Sequence, residues 1–239
     1  MSEHSATAQA VWDPRPDQAL EQLLQNRHSC RRFLGHEVSK ETIGRLLQLA
    51  QRSPSWCNTQ PWEVIVTAGP GTDRFREAIS AHAAQAGDRF APDFELPREY
   101  HGVYLQRRRE SGWQLYESLG IERGDRVASA AQALENYRLF EAPHVAIVTV
   151  DARLGTYGAV DGGLYLAHFL LAAEALGIAC VPQAALAMHS EFIHDFFELP
   201  TDRKVLAGIS FGYPDEDAPA NSYRTSRAPL DDVVRWVTV

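Results

Sequence analysis

Cysteines are scarce in this sequence of 239 residues, and it has no uninterrupted apolar run long enough to cross a membrane. Cys30, Cys57 and Cys180 lack the spacing of a disulfide framework, so we expect reduced thiols in a cytoplasmic protein. The most apolar stretch, residues 164–181, contains a histidine and a glutamate, whereas a span needs about 20 predominantly apolar residues. The polar N-terminal residues lack the apolar core of a signal peptide. We therefore expect no membrane partner.

An excess of basic charge is also missing, because the formal net charge is −8. Proteins that bind nucleic acid need clustered Lys and Arg in excess, so this balance argues against a nucleic-acid partner. The apolar share of 45% and the aromatic share of 10% suffice for a packed core, which excludes a disordered chain. No linker divides the chain. We expect an N-terminal arm over residues 1–16 and a single domain over residues 17–239.

Several motifs for other chemistries are absent or fail on their context. Neither the dinucleotide fingerprint G-x-G-x-x-G nor the P-loop sequence G-x-x-x-x-G-K-[ST] occurs. His189 and His194 are five positions apart, off one helical face, so no metal site is predicted. Residues 208–212 match the nucleophile elbow G-x-S-x-G, but a Tyr-Pro pair follows where that elbow needs a helix. We therefore interpret Ser210 as part of a tightly packed strand.

Hydrophobic periodicity predicts helices that alternate with about four strands. The predicted helices cover residues 17–27, 39–50, 73–86, 98–119, 127–140, 161–176 and 191–197, and the predicted strands cover 62–67, 145–150, 179–182 and 204–211. This pattern is typical of an α+β fold, or of an α/β fold with excess helix. The helix at 161–176 is apolar on most sides, so we expect it to be central and buried.

Two segments exceed what this core needs. Residues 87–125 are charged and aromatic, and we interpret them as an irregular insert that carries one helix. The C-terminal extension, residues 213–239, is rich in proline and ends in an apolar patch that includes Trp236. Since such an extension cannot form a core alone, we expect it to dock on another surface, for which a second subunit is a candidate.

Three polar clusters remain as candidates for chemistry. Residues 26–33 contain three arginines and a serine, which can bind a phosphate group, although a basic surface turn explains them equally well. Residues 53–62 combine small hydrogen-bonding side chains with two tryptophans. Residues 221–230, in the C-terminal extension, are again cationic.

Ordered motifs across these clusters resemble the nitroreductase family of FMN-dependent oxidoreductases. The matching elements are R-H-S-x-R at 27–31, P-S-x-x-N-x-Q-P-W at 54–62, N-Y-R-x-F-x-A-P at 136–143, L-G-I-x-C-x-P-Q at 176–183, G-x-x-x-G-Y-P at 208–214 and R-x-x-R-x-P-L at 224–230. They follow the family order over nearly the whole domain. Single elements are common, but six in order are specific.

The resemblance implies a three-layer α/β/α homodimer with a central, mostly antiparallel sheet and a C-terminal arm exchanged across the dimer. Two FMN sites would lie at the dimer interface, each built from both chains. The implied cofactor-binding residues are Arg27, His28, Ser29, Arg31, Pro54, Ser55, Trp56, Asn58, Asn136, Arg138, Pro182, Gln183, Ala184, Arg224 and Arg227.

The resemblance also assigns roles to the cations. Arg27, Ser29 and Arg227 would grip the FMN phosphate, since two guanidinium groups and a hydroxyl suit that dianion. Arg31 would lie near the N1/O2 edge of the ring, where a positive charge stabilises the anionic reduced flavin. Arg138 would share that task. The alternative for each arginine is a solvated surface position.

The remaining positions would contact the ring and the ribityl chain. Asn136 would bond the pyrimidine edge, and residues 54–56 would come from the other subunit. The backbone of residues 182–184 would offer an N–H donor to flavin N5. Ordinary core tryptophans and a plain strand end are the alternatives here. Cys57 lies within this set, and we expect it to be an inert buried thiol.

The family reaction implies no catalytic side chain and no metal. NADH or NADPH reduces the flavin at N5, and a nitroaromatic or quinone-like acceptor then takes the two electrons at the same place. The same fold also permits reductive dehalogenation, enone reduction or flavin fragmentation. A non-catalytic flavin-binding module is a further alternative.

The aromatic residues of the insert suggest a substrate lid over residues 87–125. Tyr100, His101, Tyr104 and Trp113 are the candidates for stacking on a small, flat aromatic acceptor. A helix that only widens the dimer interface is an equally good interpretation.

Overall fold

A computed structural model describes residues 15–239, so most of the predicted arm at 1–16 lies outside the described residues. The helices are α1 (Pro16–Asn26), α2 (Lys40–Ala50), α3 (Pro70–Ala86), α4 (Gly102–Ser118), α5 (Arg126–Leu134), α6 (Gly155–Ala175), α7 (Ala184–Ala187) and α8 (Ser190–Phe197). The strands are β1 (Trp62–Val66), β2 (His144–Asp151), β3 (Ala179–Gln183) and β4 (Arg203–Gly212).

The four strands form one sheet in the order β1-β2-β4-β3, and every neighbouring pair is antiparallel. This arrangement confirms the predicted antiparallel sheet. The register between β2 and β4 shifts between Val148 and Thr149, which marks a β-bulge. Strand β3 pairs with β4 on one side only, so its other edge borders the segment that follows α1.

Strand β2 is buried on both faces because helices cover the sheet on both sides. Ala146 and Val148 face a core shared with α2 and α6. Val145 and Ile147 alternate to the other face and pack against α3, α7 and α8. Successive side chains of a strand point to opposite faces, so these two cores make the three layers that the resemblance implied.

Several predicted boundaries were wrong by a few residues, and the helix predicted at 127–140 was wrong at its end. Helix α5 ends at Leu134, and Leu139, Phe140 and Glu141 then adopt positive φ values. Pro143 disfavours helical geometry at the residue before it, so the chain must leave the helix ahead of that point. The turn also places Leu139 and Phe140 in the core.

Helix α6 departs from the prediction of a wholly buried helix. It begins at Gly155, six residues earlier than predicted, and one face packs against the sheet through Tyr165 and Phe169. Another face leaves three apolar side chains exposed, which we call the α6 strip: Tyr157, Val160 and Leu164. Within one chain, Tyr157 contacts the Trp56 ring, and the strip nonetheless remains exposed.

The insert is anchored near both of its ends. At its start, the Ala91 amide donates to the carbonyl of Met188 at 2.9 Å. The Asp93 carboxylate accepts hydrogen bonds from the Val205 amide at 2.6 Å and the His194 imidazole at 2.9 Å. Further along, α4 packs against the C-terminal turn at residues 219–221.

Replacing Gly162 of α6 with alanine should destabilise the protein. A Cβ atom there would lie 2.5 Å from Leu206 Cδ2 and 2.8 Å from Val150 Cγ1. Overpacking of this kind costs about 1–3 kcal/mol, which urea unfolding of Gly162→Ala would measure. The matched control is Gly44→Ala in α2, which meets no atom within 4 Å and should gain up to about 1 kcal/mol from helix propensity. Equal stability of the two variants would contradict the close approach of α6 to the sheet.

Candidate functional site

The first basic segment runs along the free edge of β3. Ser29 forms a parallel bridge with Cys180, and the Cys30 amide donates to the Cys180 carbonyl at 3.0 Å. Phe33 forms an antiparallel bridge with Pro214, beyond the end of β4. The edge pairing therefore fixes the backbone of the R-H-S-x-R motif beside Cys180 of β3.

A buried asparagine joins this segment to the C-terminal extension. The Asn221 carboxamide oxygen accepts from the Arg31 amide at 2.7 Å, and its Nδ2 donates to the carbonyls of Arg32 at 2.9 Å and Asp215 at 2.8 Å. Asn221 is 6% exposed. One side chain thus satisfies three backbone groups and holds the start of the extension on its own chain. The sequence did not single it out, since no local pattern marks a long-range clamp.

Four arginines converge on one cleft as a result, which we call the arginine cleft. Its volume is about 660 Å³, within the range of small-molecule and cofactor sites. It is lined by Asp17, Leu20, Glu21, Leu24, Gln25, Arg27, His28, Ser29, Arg31, Ser111, Tyr223, Arg224, Thr225 and Arg227. The structure therefore brings together six of the fifteen implied cofactor residues, from two parts of the chain far apart in sequence.

The arginine cleft carries an excess of positive charge. Arg31 donates to the Tyr223 hydroxyl at 2.6 Å, and Arg224 and Arg227 donate to nearby backbone carbonyls. Among residues 15–239, none of the four arginines forms an ion pair with a carboxylate. Burial lowers the pKa of His28, so its imidazole adds little charge at pH 7.

This donor set fits a phosphate monoester. Guanidinium groups bind phosphate oxygens through parallel N–H donors, and the Ser29 hydroxyl adds a further donor. The FMN phosphate implied by the resemblance is such a group. The residues present at the cleft therefore suit that cofactor in charge and in hydrogen-bonding capacity.

The second cluster lies elsewhere in the same chain. The Trp56 amide donates to the Asp161 carboxylate of α6 at 3.0 Å, and the Trp56 indole packs edge-on against Tyr157 at 4.1 Å between ring centroids. Pro54, Ser55, Trp56 and Asn58 do not line the arginine cleft. Trp56 is 55% exposed beside the α6 strip.

The segment containing Trp56 has an irregular backbone. Three residues, Cys57, Asn58 and Gln60, have positive φ values, which residues other than glycine rarely adopt. The expectation that Cys57 is buried was wrong, because this left-handed turn points its thiol outward. Burial instead raises the pKa of Cys30 to about 11 and raises that of Cys180, so those two thiols are protonated at pH 7.

The third set lies at the end of β3. Pro182 and Ala184 are exposed, whereas the side chain of Gln183 turns inward and is almost fully buried. Gln183 Nε2 donates to the main-chain carbonyl of Asn136 at 2.8 Å. Sequence reasoning considered only the backbone of residues 182–184, so it missed this side-chain contact.

Arg138 lies outside the arginine cleft and close to two carboxylates. It does not line the arginine cleft, and it lies 3.6 Å from the carboxylates of both Glu135 and Glu141. Its side chain and Arg31 line a separate, shallower cleft of about 510 Å³. Arg32 also faces that cleft and pairs with Glu141 at 2.8 Å.

The predicted substrate residues do not line the arginine cleft: Tyr100 and His101 precede α4, and Tyr104 and Trp113 lie on it. Tyr100 and Tyr104 are exposed, His101 packs edge-on against Tyr104, and the Trp113 ring lies under the Arg123 guanidinium at 4.8 Å. The side of α4 that faces the C-terminal segment is polar, and it forms an adjoining cleft of about 540 Å³. Two residues of this polar side were not predicted as site residues from the sequence. Ser111 lines both clefts, and Arg107 lines the adjoining one.

Among residues 15–239, no helix is both long and apolar enough to span a bilayer. The same residues contain no group of three or more His, Cys, Asp and Glu side chains placed to hold a metal ion.

The fold and the site together define an α+β protein whose sheet edge carries a cationic cleft of cofactor size. The chain belongs to the nitroreductase family, whose model matches residues 24–213. This match confirms the resemblance given by the ordered motifs.

Individual relatives cover nearly the whole chain. It is 39% identical over 223 residues to the nitroreductase NfnB of Mycolicibacterium smegmatis, which covers 92% of this chain and 93% of that protein. It is 30% identical over 219 residues to the nitrobenzene nitroreductase of Ectopseudomonas oleovorans, with 91% and 96% covered. The crystal structure of the FMN-dependent nitroreductase NfnB from Mycobacterium smegmatis in complex with NADPH superposes with a TM-score of 0.87 at 36% identity, with 93% and 99% covered.

Removing the Asn221 clamp should loosen the C-terminal extension. In Asn221→Ala, the Arg31 amide loses its acceptor, and an unsatisfied backbone group costs about 1–3 kcal/mol, whereas the Arg32 and Asp215 carbonyls each keep a backbone donor. We expect a lower melting temperature and faster proteolysis within residues 213–227. Ser222→Ala is the control, because its exposed hydroxyl bonds only within its own turn. If both variants resist protease like the unmodified protein, the clamp does not hold the extension.

Proposed function

We propose that this chain is an FMN-dependent NAD(P)H oxidoreductase that reduces nitroaromatic or quinone-like acceptors. The observation that carries the proposal is the arginine cleft, where Arg27, Ser29, Arg31 and Arg227 lie together without carboxylate partners among residues 15–239. Family membership supports the oxidoreductase class. Residues 17–239 would form one domain in which residues 87–125 are an insert.

The residues of the cleft would hold FMN by its phosphate. Four residues that line the arginine cleft would donate to the phosphate oxygens: Arg27, Ser29, Arg224 and Arg227. Arg31 would place its charge toward the ring, held by its bond to Tyr223. When bound, FMN would supply the two-electron chemistry between NAD(P)H and the acceptor.

The other implied residues would orient the ring and the substrates. Asn136 would bond the pyrimidine edge, and the exposed end of β3 at Pro182 and Ala184 would offer backbone donors. Because Arg138 lies near the carboxylates of Glu135 and Glu141, it would stabilise the reduced flavin less than Arg31 would. Tyr104 and Trp113, with their neighbours in the insert, would lie over the acceptor.

The proposed functional unit is a homodimer. The α6 strip exposes a row of apolar side chains on the longest helix, and a second copy would remove them from water. Trp56 lies beside this strip and apart from the arginine cleft, which suits a site completed by both chains. Residues 213–227 bond to their own chain, so an exchanged arm would begin after them, with the exposed Leu230 and Trp236. Light scattering of the purified protein tests the dimer.

Substrate and compartment follow from the relatives and the cysteines. One relative is named for nitrobenzene, and NfnB was crystallised with NADPH, so we propose nitroarenes as acceptors and NADPH or NADH as donor. All three cysteines are free, which supports a reducing, cytoplasmic compartment. A small aromatic acceptor would be the natural partner of an aromatic insert.

Absorbance spectroscopy of the purified protein tests the proposal. We expect flavin bands, rapid bleaching on addition of NADPH or NADH without oxygen, and recovery of the bands when a nitroarene is added. Recovery with a haloarene or an enone but not with a nitroarene would favour the dehalogenase or enone-reductase alternative. Stable bands that no nicotinamide cofactor bleaches would identify a non-catalytic flavin-binding module. A protein that cannot be loaded with FMN would contradict the proposal.

Replacing Arg27 should weaken FMN binding. A hydrogen bond to a charged group contributes about 1.5–3 kcal/mol, so Arg27→Ala should raise the FMN dissociation constant about 10- to 100-fold. FMN fluorescence titration measures it. Arg98→Ala is the matched control, because Arg98 is exposed and pairs only with Glu95 within the insert. Equal FMN affinity in the two variants would remove Arg27 from the phosphate site.

Changing the aromatic residues of the insert should alter the choice of acceptor. In the double variant Tyr104→Ala and Trp113→Ala, we expect the ratio of kcat/KM between a bulky and a small nitroarene to change about tenfold, from lost stacking on the order of 1 kcal/mol. FMN affinity should stay unchanged, because neither side chain lines the arginine cleft. An unchanged ratio with a weakened dimer would instead assign the insert to the subunit interface.

A further inference from the structure

A buried chain of hydrogen bonds links the sheet to Asn136. The Ser210 hydroxyl of β4 donates to the Gln183 side-chain carbonyl at 2.5 Å. Gln183 Nε2 then donates to the main-chain oxygen of Asn136 at 2.8 Å and to its Oδ1 at 3.3 Å. Ser210 is 0% exposed and Gln183 is 2% exposed. Neither side chain reaches the arginine cleft.

The chemistry of these groups permits only one orientation of each amide. The Asn136 main-chain oxygen can only accept, so the Gln183 NH2 group must face it. The Gln183 oxygen must then face Ser210, and the hydroxyl of Ser210 must donate. At the far end, Asn136 Nδ2 donates to the Ala133 carbonyl at 3.1 Å. The Asn136 main-chain oxygen thus sets the direction of these hydrogen bonds, and the buried Ser210 hydroxyl completes them by donating to the Gln183 oxygen.

Asn136 is left with a defined hydrogen-bonding pattern on its half-buried amide. One of its two N–H groups is used by Ala133, and one of its two oxygen lone pairs is used by Gln183. One donor and one acceptor remain, in fixed places. The pyrimidine edge of a flavin presents an N–H between two carbonyl groups, so a side chain with one donor and one acceptor complements it.

We infer that Ser210 and Gln183 are positioning residues that hold the Asn136 amide in the orientation needed to bind the pyrimidine edge of FMN. The inference rests on the proposed function. It assigns a role to the serine of the Gly-Ile-Ser-Phe-Gly sequence at 208–212, which is too deeply buried to act as a nucleophile. It also explains why a glutamine lies inside the core at the end of an edge strand.

The segment around Asn136 has other supports, so loss of the hydrogen bonds from Ser210 through Gln183 need not unfold this segment. The Ser80 hydroxyl donates to the Tyr137 carbonyl at 2.9 Å. The Tyr137 hydroxyl lies 3.2 Å from His189 Nε2. Removing the Ser210 hydroxyl should therefore leave the Gln183 oxygen without its donor and loosen the side-chain amides of Gln183 and Asn136, while the backbone stays in place.

The test compares Ser210→Ala with Ser190→Ala. Ser190 is also 0% exposed and its hydroxyl donates to the Ala187 carbonyl at 2.7 Å, outside this chain of bonds. We expect both variants to lose similar thermal stability in the absence of FMN. Only Ser210→Ala should raise the FMN dissociation constant, about three- to tenfold, as expected for the loss of one well-placed hydrogen bond. The midpoint potential of its bound flavin should move to more negative values, since the ring loses a donor.

Gln183→Glu provides a second variant if Ser210→Ala folds poorly. Its carboxylate cannot donate to Asn136, so the loss of FMN affinity should exceed that of Ser210→Ala. If the unmodified protein binds FMN and both Ser210→Ala and Gln183→Glu bind it with unchanged affinity and potential, the inference is overturned while the proposed function stands. If the unmodified protein binds no FMN, the proposed function fails and the inference with it.

Discussion

The free edge of β3 is the constraint on which the site depends. A strand at the edge of a sheet exposes unpaired backbone groups, and here the segment after α1 pairs with part of that edge through Ser29 and Cys30. The pairing holds the first basic motif beside β3. Asn221 then secures the C-terminal extension to the same segment, so cations far apart in sequence share one wall.

The core and the site use opposite kinds of interaction. Apolar side chains of β2 pack on both faces of the sheet. Apolar packing is not directional, so the only constraint on these side chains is that successive ones point to opposite faces. The hydrogen bonds of Gln183 and Asn221 are few, but each has a single allowed geometry because both are buried amides. Packing therefore sets where the elements lie, and the buried amides set how the polar groups at the sheet edge are oriented.

Much of the fold could be predicted from the sequence, because the dominant signals are local. The alternation in β2 and the Ser39 cap before α2, whose hydroxyl accepts from the Thr42 amide, both depend on neighbouring residues. The end of α5 could not be placed, since it depends on Leu139 and Phe140 finding the core. The cationic residues of the site were found through ordered motifs, whereas Asn221 and the inward turn of Gln183 depend on partners far away in sequence. The exposure of Cys57 depends on a strained turn that no pattern marks.

The anchor at Asp93 has a consequence for how this fold can diversify. Its carboxylate accepts from the Val205 amide close to the β-bulge and from the His194 imidazole, so one hydrogen bond fixes the start of the insert to the sheet and another fixes it to α8. The far side of α4 rests on the turn at residues 219–221. Chain length and composition between these supports can change without moving a strand. Evolution can therefore alter what the insert covers while the sheet and the arginine cleft keep their positions.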